Sequence, residues 1–99
     1  MVRHIVAWNY ADRFTSEENQ SNAVRAKQEL EQLKDLIEGI VSINLLVNPL
    51  STSDSDLMLD VVFESEEALN ASTIHPEHVR VGGFIRTVVK NRKCVDFQL

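Results

Sequence analysis

Cysteine occurs once in these 99 residues, proline twice and glycine three times. The single thiol, Cys94, cannot close an intrachain disulfide or build a thiolate metal cage, which suits a reducing, cytoplasmic setting. Basic residues are also scarce, ten against fifteen acidic ones, for a net charge of −5. That balance excludes nucleic acid as the main partner, because phosphate neutralisation drives such binding. No apolar run approaches the ~20 residues that cross a bilayer, so no membrane span is expected. From Met1 to Tyr10 the chain alternates and carries Arg3 and His4 where a signal peptide needs an unbroken apolar stretch. Export is therefore not expected.

What remains is an ordinary globular composition, 43% hydrophobic and 25% charged. The length matches one domain, residues 1–99, with no room for a second core. A chain this short hides only about two-thirds of the surface its unfolded form exposes, so it needs a well-patterned core or a partner.

The pattern is legible from the first strand onward. Val2, His4, Val6, Trp8 and Tyr10 share one face of an extended segment, and Arg3, Ile5, Ala7 and Asn9 share the other. Both faces are partly apolar, as in a strand covered on two sides. Thr15 with Glu18 three positions on predicts a capping box and a helix start. Ala23, Ala26, Leu30, Leu33 and Ile37 then form one helical stripe, and Gly39 predicts its end. Ile40 to Val47 alternates again, with Val41, Ile43, Leu45 and Val47 expected on one face. Asn48 to Asp56 reads as a solvated loop, and Leu57 to Phe63 as the third strand. Ser65 followed by Glu66 and Glu67 caps a short helix that Pro76 interrupts before a new segment carrying His78, Val81, Ile85 and Val88 on one stripe. Gly82 and Gly83 predict a bend or a close backbone approach there, and Lys93 to Leu99 predicts a closing strand.

Strand, helix, strand, strand, helix, strand is the ferredoxin-like βαββαβ arrangement, an α+β fold with both helices on one face of a four-stranded antiparallel sheet. The other face, with Ile5 and Ala7 on it, is then too apolar to stand in water, and a second copy of the chain is the economical cover.

The three histidines are the side chains that titrate near neutrality. His4 shares a strand face with Val6 and Trp8, and His78 sits on the apolar stripe of the last helix, so both are candidates to edge a pocket between sheet and helices. The strands would line that pocket with Val6, Trp8, Leu57 and Leu59, and the helices with Ala23, Ala26, Ser72 and Val81. The small Ala23 and Ala26 leave room there unless Trp8 or Phe84 fills the gap. A metal set of His75 and His78 with His4 or Glu77 is disfavoured because Pro76 constrains His75, and neither metal nor cofactor is expected. Arg80, Arg86, Lys90, Arg92 and Lys93 could form an anion site, but they read better as solvated cations near a helix C-terminus, and Cys94 as inert packing.

Ile74-His75-Pro76-Glu77-His78-Val79, following Phe63-Glu64-Ser65 and an opening Arg3-His4-Ile5-Val6 strand, resembles the signature of the stress-responsive A/B barrel domain family over nearly the whole chain. The resemblance implies a dimeric α+β barrel, two four-stranded sheets packed face to face. A plant member of that family is a polyketide cyclase that closes a ring by aldol condensation without a metal. Its general base falls on His78 and its strand histidine on His4. Its pocket tyrosine falls on Ser72, its third-strand histidine on Leu57, and the aromatic residues of its alkyl pocket on Ala23 and Ala26. Losing the tyrosine removes the hydroxyl that would hold a substrate carbonyl. The favoured expectation is thus a homodimeric domain that binds a small hydrophobic or carbonyl-containing ligand without turnover. The alternatives are a cofactor-independent lyase or cyclase acting on a polyketide-like substrate with His78 as general base, and a purely structural dimer.

Overall fold

The N-terminal alternation becomes strand β1 (Val2–Tyr10) in the computed structural model, which describes residues 1–99. Helix α1 (Ser16–Leu36) follows, then β2 (Ile40–Leu46), β3 (Leu57–Phe63), α2 (Glu66–Ile74), α3 (Pro76–Val88) and β4 (Val89–Gln98). The strands form one sheet in the order β2-β3-β1-β4, and every neighbouring pair is antiparallel.

Local chemistry sets the helix starts. The Thr15 hydroxyl accepts the Glu18 N–H while the Glu18 carboxylate accepts the Thr15 N–H, a complete capping box. The Ser65 hydroxyl accepts the Ala68 N–H at the start of α2. His75 caps α3 through its ring, Nδ1 accepting the Glu77 N–H at 3.1 Å, and Pro76 takes the first helical position.

The helices cover one face of the sheet. Val6 and Trp8 of β1, Leu45 of β2, and Leu57, Leu59, Val61 and Phe63 of β3 pack there against the α1 stripe and against Val81 and Ile85 of α3. Lys27 and Glu31 of α1 reach over the edge of β2, where they bond the Leu45 carbonyl and N–H at 2.8 and 3.0 Å. That pairing occupies backbone groups an edge strand otherwise leaves open. On the opposite face the register aligns Arg3 with Val62 and Phe97, Ile5 with Asp60 and Val95, and Ala7 with Met58 and Lys93. This face carries no helix. Phe97 stays 54% exposed and Val95 47%, around a central Arg3–Asp60 ion pair.

Four local expectations are corrected. Val41 does not share the face of Leu45: two residues of β2 oppose one of β3 between Ile40 and Ser42, and this bulge turns Ile40 inward and leaves Val41 exposed. Helix α1 stops at Leu36, before Gly39. Gly39 instead makes the turn into β2 at φ +94°, where an added Cβ would lie 2.7 Å from the Ala68 Cβ. The Gly82-Gly83 pair does not interrupt α3 and meets no other backbone: the helix runs unbroken from Pro76 to Val88, with Val81 and Ile85 buried on either side of the pair. Strand β4 begins at Val89, not Lys93, because Asn9 and Tyr10 pair with Lys90 and Val89 beyond an irregularity at Ala7/Asn9. Asn91 there adopts φ 56°, a conformation asparagine tolerates.

Candidate functional site

The helix layer stops short of β4, all of whose residues from Lys90 to Gln98 are exposed. Between α3 and the β1/β4 flank lies a cavity of ≈ 370 Å³, within the size range of small-molecule sites. Its floor is apolar: Val6 and Trp8 from β1, Leu30 from α1, Ile85 and Val89 from α3 and the start of β4. The walls add His4, His78, Arg86, Lys90 and Arg92, and no carboxylate lines the space. Gly82 and Asn91 complete it. A Cβ at Gly82 would meet only the Arg86 Nη1, at 3.5 Å, so the missing side chain is space left to the cavity.

The two histidines differ in what holds them. His4 Nδ1 lies 2.5 Å from Asp96 Oδ1. A carboxylate accepts and does not donate, so Nδ1 carries the hydrogen, and in the neutral ring Nε2 keeps its lone pair. The Phe63 ring meets the His4 ring edge-on at 6.2 Å. His78 has no such partner. Burial pushes its pKa below the ordinary 6.5, and the positive charges of His4, Arg86, Arg92 and His75 push the same way. His78 is therefore biased toward the neutral imidazole, which keeps one ring N–H and offers one free lone pair.

Cys94, on the same side of β4, is exposed rather than packed away. Its sulfur lies 3.6 Å from His4 Nδ1 and 3.6 Å from Asp96 Oδ2. Burial, and the Asp96 charge after it, raise the thiol pKa above its ordinary value.

Of the residues singled out from the sequence, the structure brings His4, Val6, Trp8 and His78 together around the cavity. Ala23, Ala26, Leu57, Leu59 and Val81 are packed in the hydrophobic core instead, and Ser72 is buried on α2, where its carbonyl accepts the His75 N–H. His75 itself is a helix cap. Of the five cations read as solvated, Arg86, Lys90 and Arg92 face the cavity, whereas Arg80 bridges Glu77 and Glu29. Asp96 was not singled out, and Gly82 only as a helix-weakening glycine. The alternation of Cys94, Asp96 and Gln98 was the available signal for Asp96, but only the β1–β4 register, with His4 opposite Asp96, gives it meaning.

Several solved structures share this architecture. A dimeric protein of ferredoxin-like fold from Bacteroides fragilis aligns with a TM-score of 0.91 at 26% identity, over 99% of this chain and 95% of that one. A dimeric ferredoxin-like protein from Thermobifida fusca gives 0.80 at 21% identity, over 99% and 90%. The hydroxynitrile lyase of Passiflora edulis gives 0.76 at 10% identity, over 99% and 92%, a likeness of fold alone. Among curated proteins none matches the chain. The stress responsive A/B barrel domain model matches residues 2–99, all but the first residue, and the chain belongs to that family.

Proposed function

We propose that the protein is a homodimer in which each chain binds one small, mostly apolar molecule bearing a carbonyl or anionic oxygen, in the cavity between β1, β4 and α3. The observation that carries this reading is the cavity's composition. In a chain of net charge −5 it joins an apolar floor to a wall of two histidines, two arginines and a lysine, with no carboxylate. An apolar body gains by leaving water for the Val6, Trp8, Leu30 and Ile85 surface, and an oxygen at its end gains charge-assisted hydrogen bonds from Arg86 or Arg92. Dimerisation is supported by the uncovered sheet face and by the dimeric state of the Bacteroides and Thermobifida proteins.

The test is thermal unfolding with a panel of apolar ketones, aldehydes and carboxylates of matched size. A member that binds shifts stability by about 2.7 kcal/mol at a hundredfold excess over its Kd. No shift with any member, together with no loss of signal from Trp8 on titration, would overturn the reading.

One observation favours a second reading, a cofactor-independent lyase or cyclase. The half-buried His78, its pKa pushed down, keeps a free ring lone pair beside cations that would hold an alkoxide or enolate. His78 would take a proton from the substrate O–H or from the carbon next to its carbonyl, and the electron pair would move toward the oxygen facing Arg86 or Arg92. Solvent deuterium entering the α-carbon of a bound ketone, seen by NMR, tests this. The exchange should drop by about 10²-fold or more in His78→Gln, and an unchanged rate would exclude His78 as the base.

A further inference from the structure

His4, Cys94 and Asp96 offer three different donor types whose atoms all lie within 4.8 Å of one another. Their placement is built into the sheet. Cys94 and Asp96 are two apart on β4, so they share its helix-side face, and the register sets Asp96 opposite His4 and Cys94 opposite Val6. A tetrahedral ion with a metal–sulfur bond of about 2.3 Å and metal–nitrogen and metal–oxygen bonds of about 2.0–2.1 Å separates sulfur from either lighter donor by roughly 3.6 Å. The sulfur here lies 3.6 Å from His4 Nδ1 and 3.6 Å from Asp96 Oδ2. Two edges of the ligand triangle already have the required length. The third edge runs from His4 Nδ1 to that same Oδ2; Nδ1 now holds the other oxygen, Oδ1, at 2.5 Å, a hydrogen bond that a small rotation of the 44% exposed carboxylate gives up when an ion takes its place.

We propose that His4 Nδ1, Cys94 Sγ and an Asp96 oxygen form a three-ligand site for Zn²⁺ or a similar borderline-soft divalent ion, with the fourth position open to water. A thiolate, a carboxylate and a neutral imidazole together balance a doubly charged ion, and one sulfur with one ring nitrogen selects against Mg²⁺ and Ca²⁺, which take oxygen shells. On binding, the Cys94 thiol releases its proton to solvent. The His4 ring hydrogen leaves Nδ1 and resides on Nε2, so loading turns His4 from an acceptor into a donor on its other ring nitrogen. The Arg92 guanidinium lies near enough to favour the thiolate over the thiol, so it supplies a positive charge beside the sulfur ligand. The site shares His4 with the cavity but does not depend on the ligand reading above.

The experiment is titration of tag-free, chelator-washed protein, kept reduced, with Co²⁺ and then with Zn²⁺. One ion per chain should bind, with a thiolate-to-cobalt charge-transfer band in the near ultraviolet that Zn²⁺ abolishes. Because Cys94 is the only thiol, the band by itself assigns the sulfur ligand. Cys94→Ser should lose the band, and Asp96→Asn should weaken binding by about 100-fold or more; both positions are exposed, so both variants should fold, which circular dichroism checks. His75→Gln should leave the affinity unchanged. Absence of the band in wild type at saturating Co²⁺, or equal Zn²⁺ affinity in wild type and Cys94→Ser, overturns the proposal.

Discussion

Phe97→Asp separates the dimer from the fold. Phe97 lies on the uncovered sheet face and keeps 54% of its surface in the single chain. A phenylalanine buries about 150–250 Å² when fully covered, so roughly 100 Å² remains for a partner to cover. At about 25 cal/mol per Å² that is ~2.5 kcal/mol per chain. Twofold symmetry doubles it to ~5 kcal/mol for the pair, before the cost of desolvating two aspartates. Such a loss weakens the dimer by roughly three to four powers of ten in Kd. Sedimentation velocity at micromolar concentration should show wild type at twice the 11.2 kDa chain mass and Phe97→Asp at the chain mass. The matched control is Ile74→Asp. Ile74 is 80% exposed but sits at the end of α2 on the helix side, so that variant should stay dimeric. Circular dichroism should show native secondary structure in both. A monomeric wild type, an unshifted Phe97→Asp, or equal dissociation in the control would refute the reasoning.

Gly83→Ala should raise stability by about 1 kcal/mol, an increase of roughly 4–8 °C in Tm, because a Cβ there meets nothing and the glycine lies inside a helix. Gly39→Ala should instead lower it by at least ~1–2 kcal/mol, from left-handed backbone strain plus the encounter with Ala68; equal melting temperatures for the two variants would contradict both accounts. Gly82→Leu should fold normally, fill the cavity and weaken any ligand found in the thermal-shift panel by about 10–100-fold, measured by calorimetry. His78, held below pKa 6.5 by burial and by His4, Arg86, Arg92 and His75, resists protonation more in the folded than in the unfolded chain. Its contribution to stability is therefore present in full above the unfolded value of about 6.5 and is lost as pH falls from there through the lower folded value, so wild type should lose more Tm than His78→Gln between pH 7.5 and 5.

What the sequence made legible was local. The Thr15/Glu18 capping box, the Ser65 cap and the Pro76 restart each rest on contacts within three or four residues, and each is found in the structure. The alternation of β1 and β3 and the α1 stripe were legible for the same reason, since period alone identifies the buried face. The bulge at Val41 and the early start of β4 were not, because both depend on what the neighbouring strand offers at that register. The site divides the same way. His4 and His78 stood out by residue type and face, but the Asp96 that orients His4 is 92 positions away and acquires its role only when the first and last strands pair. Arg86, Lys90 and Arg92 are exposed, and Arg86 sits in the last helical turn as expected, but their place along the cavity was not legible because it depends on Lys90 and Arg92 belonging to β4.

Strand β4 links the two faces of the sheet. No helix roofs it and none of its residues is buried, so its position is set by its pairing with β1 on one edge and by whatever covers its other side. Alternation sends Val95 and Phe97 to the uncovered face and Cys94 and Asp96 to the cavity face. A second copy seated on Val95 and Phe97, as proposed, would hold the same two-residue repeat that carries Asp96 to His4. Freedom of β4 and slackness of the Asp96–His4 pair then rise together, because a strand that shifts by a fraction of its repeat moves both faces at once. A chain of this size has little core to spare for fixing an edge strand from the helix side alone. The proposed dimer would thus supply rigidity where the single chain lacks it, at the strand that carries an orienting carboxylate and a thiol beside the cavity.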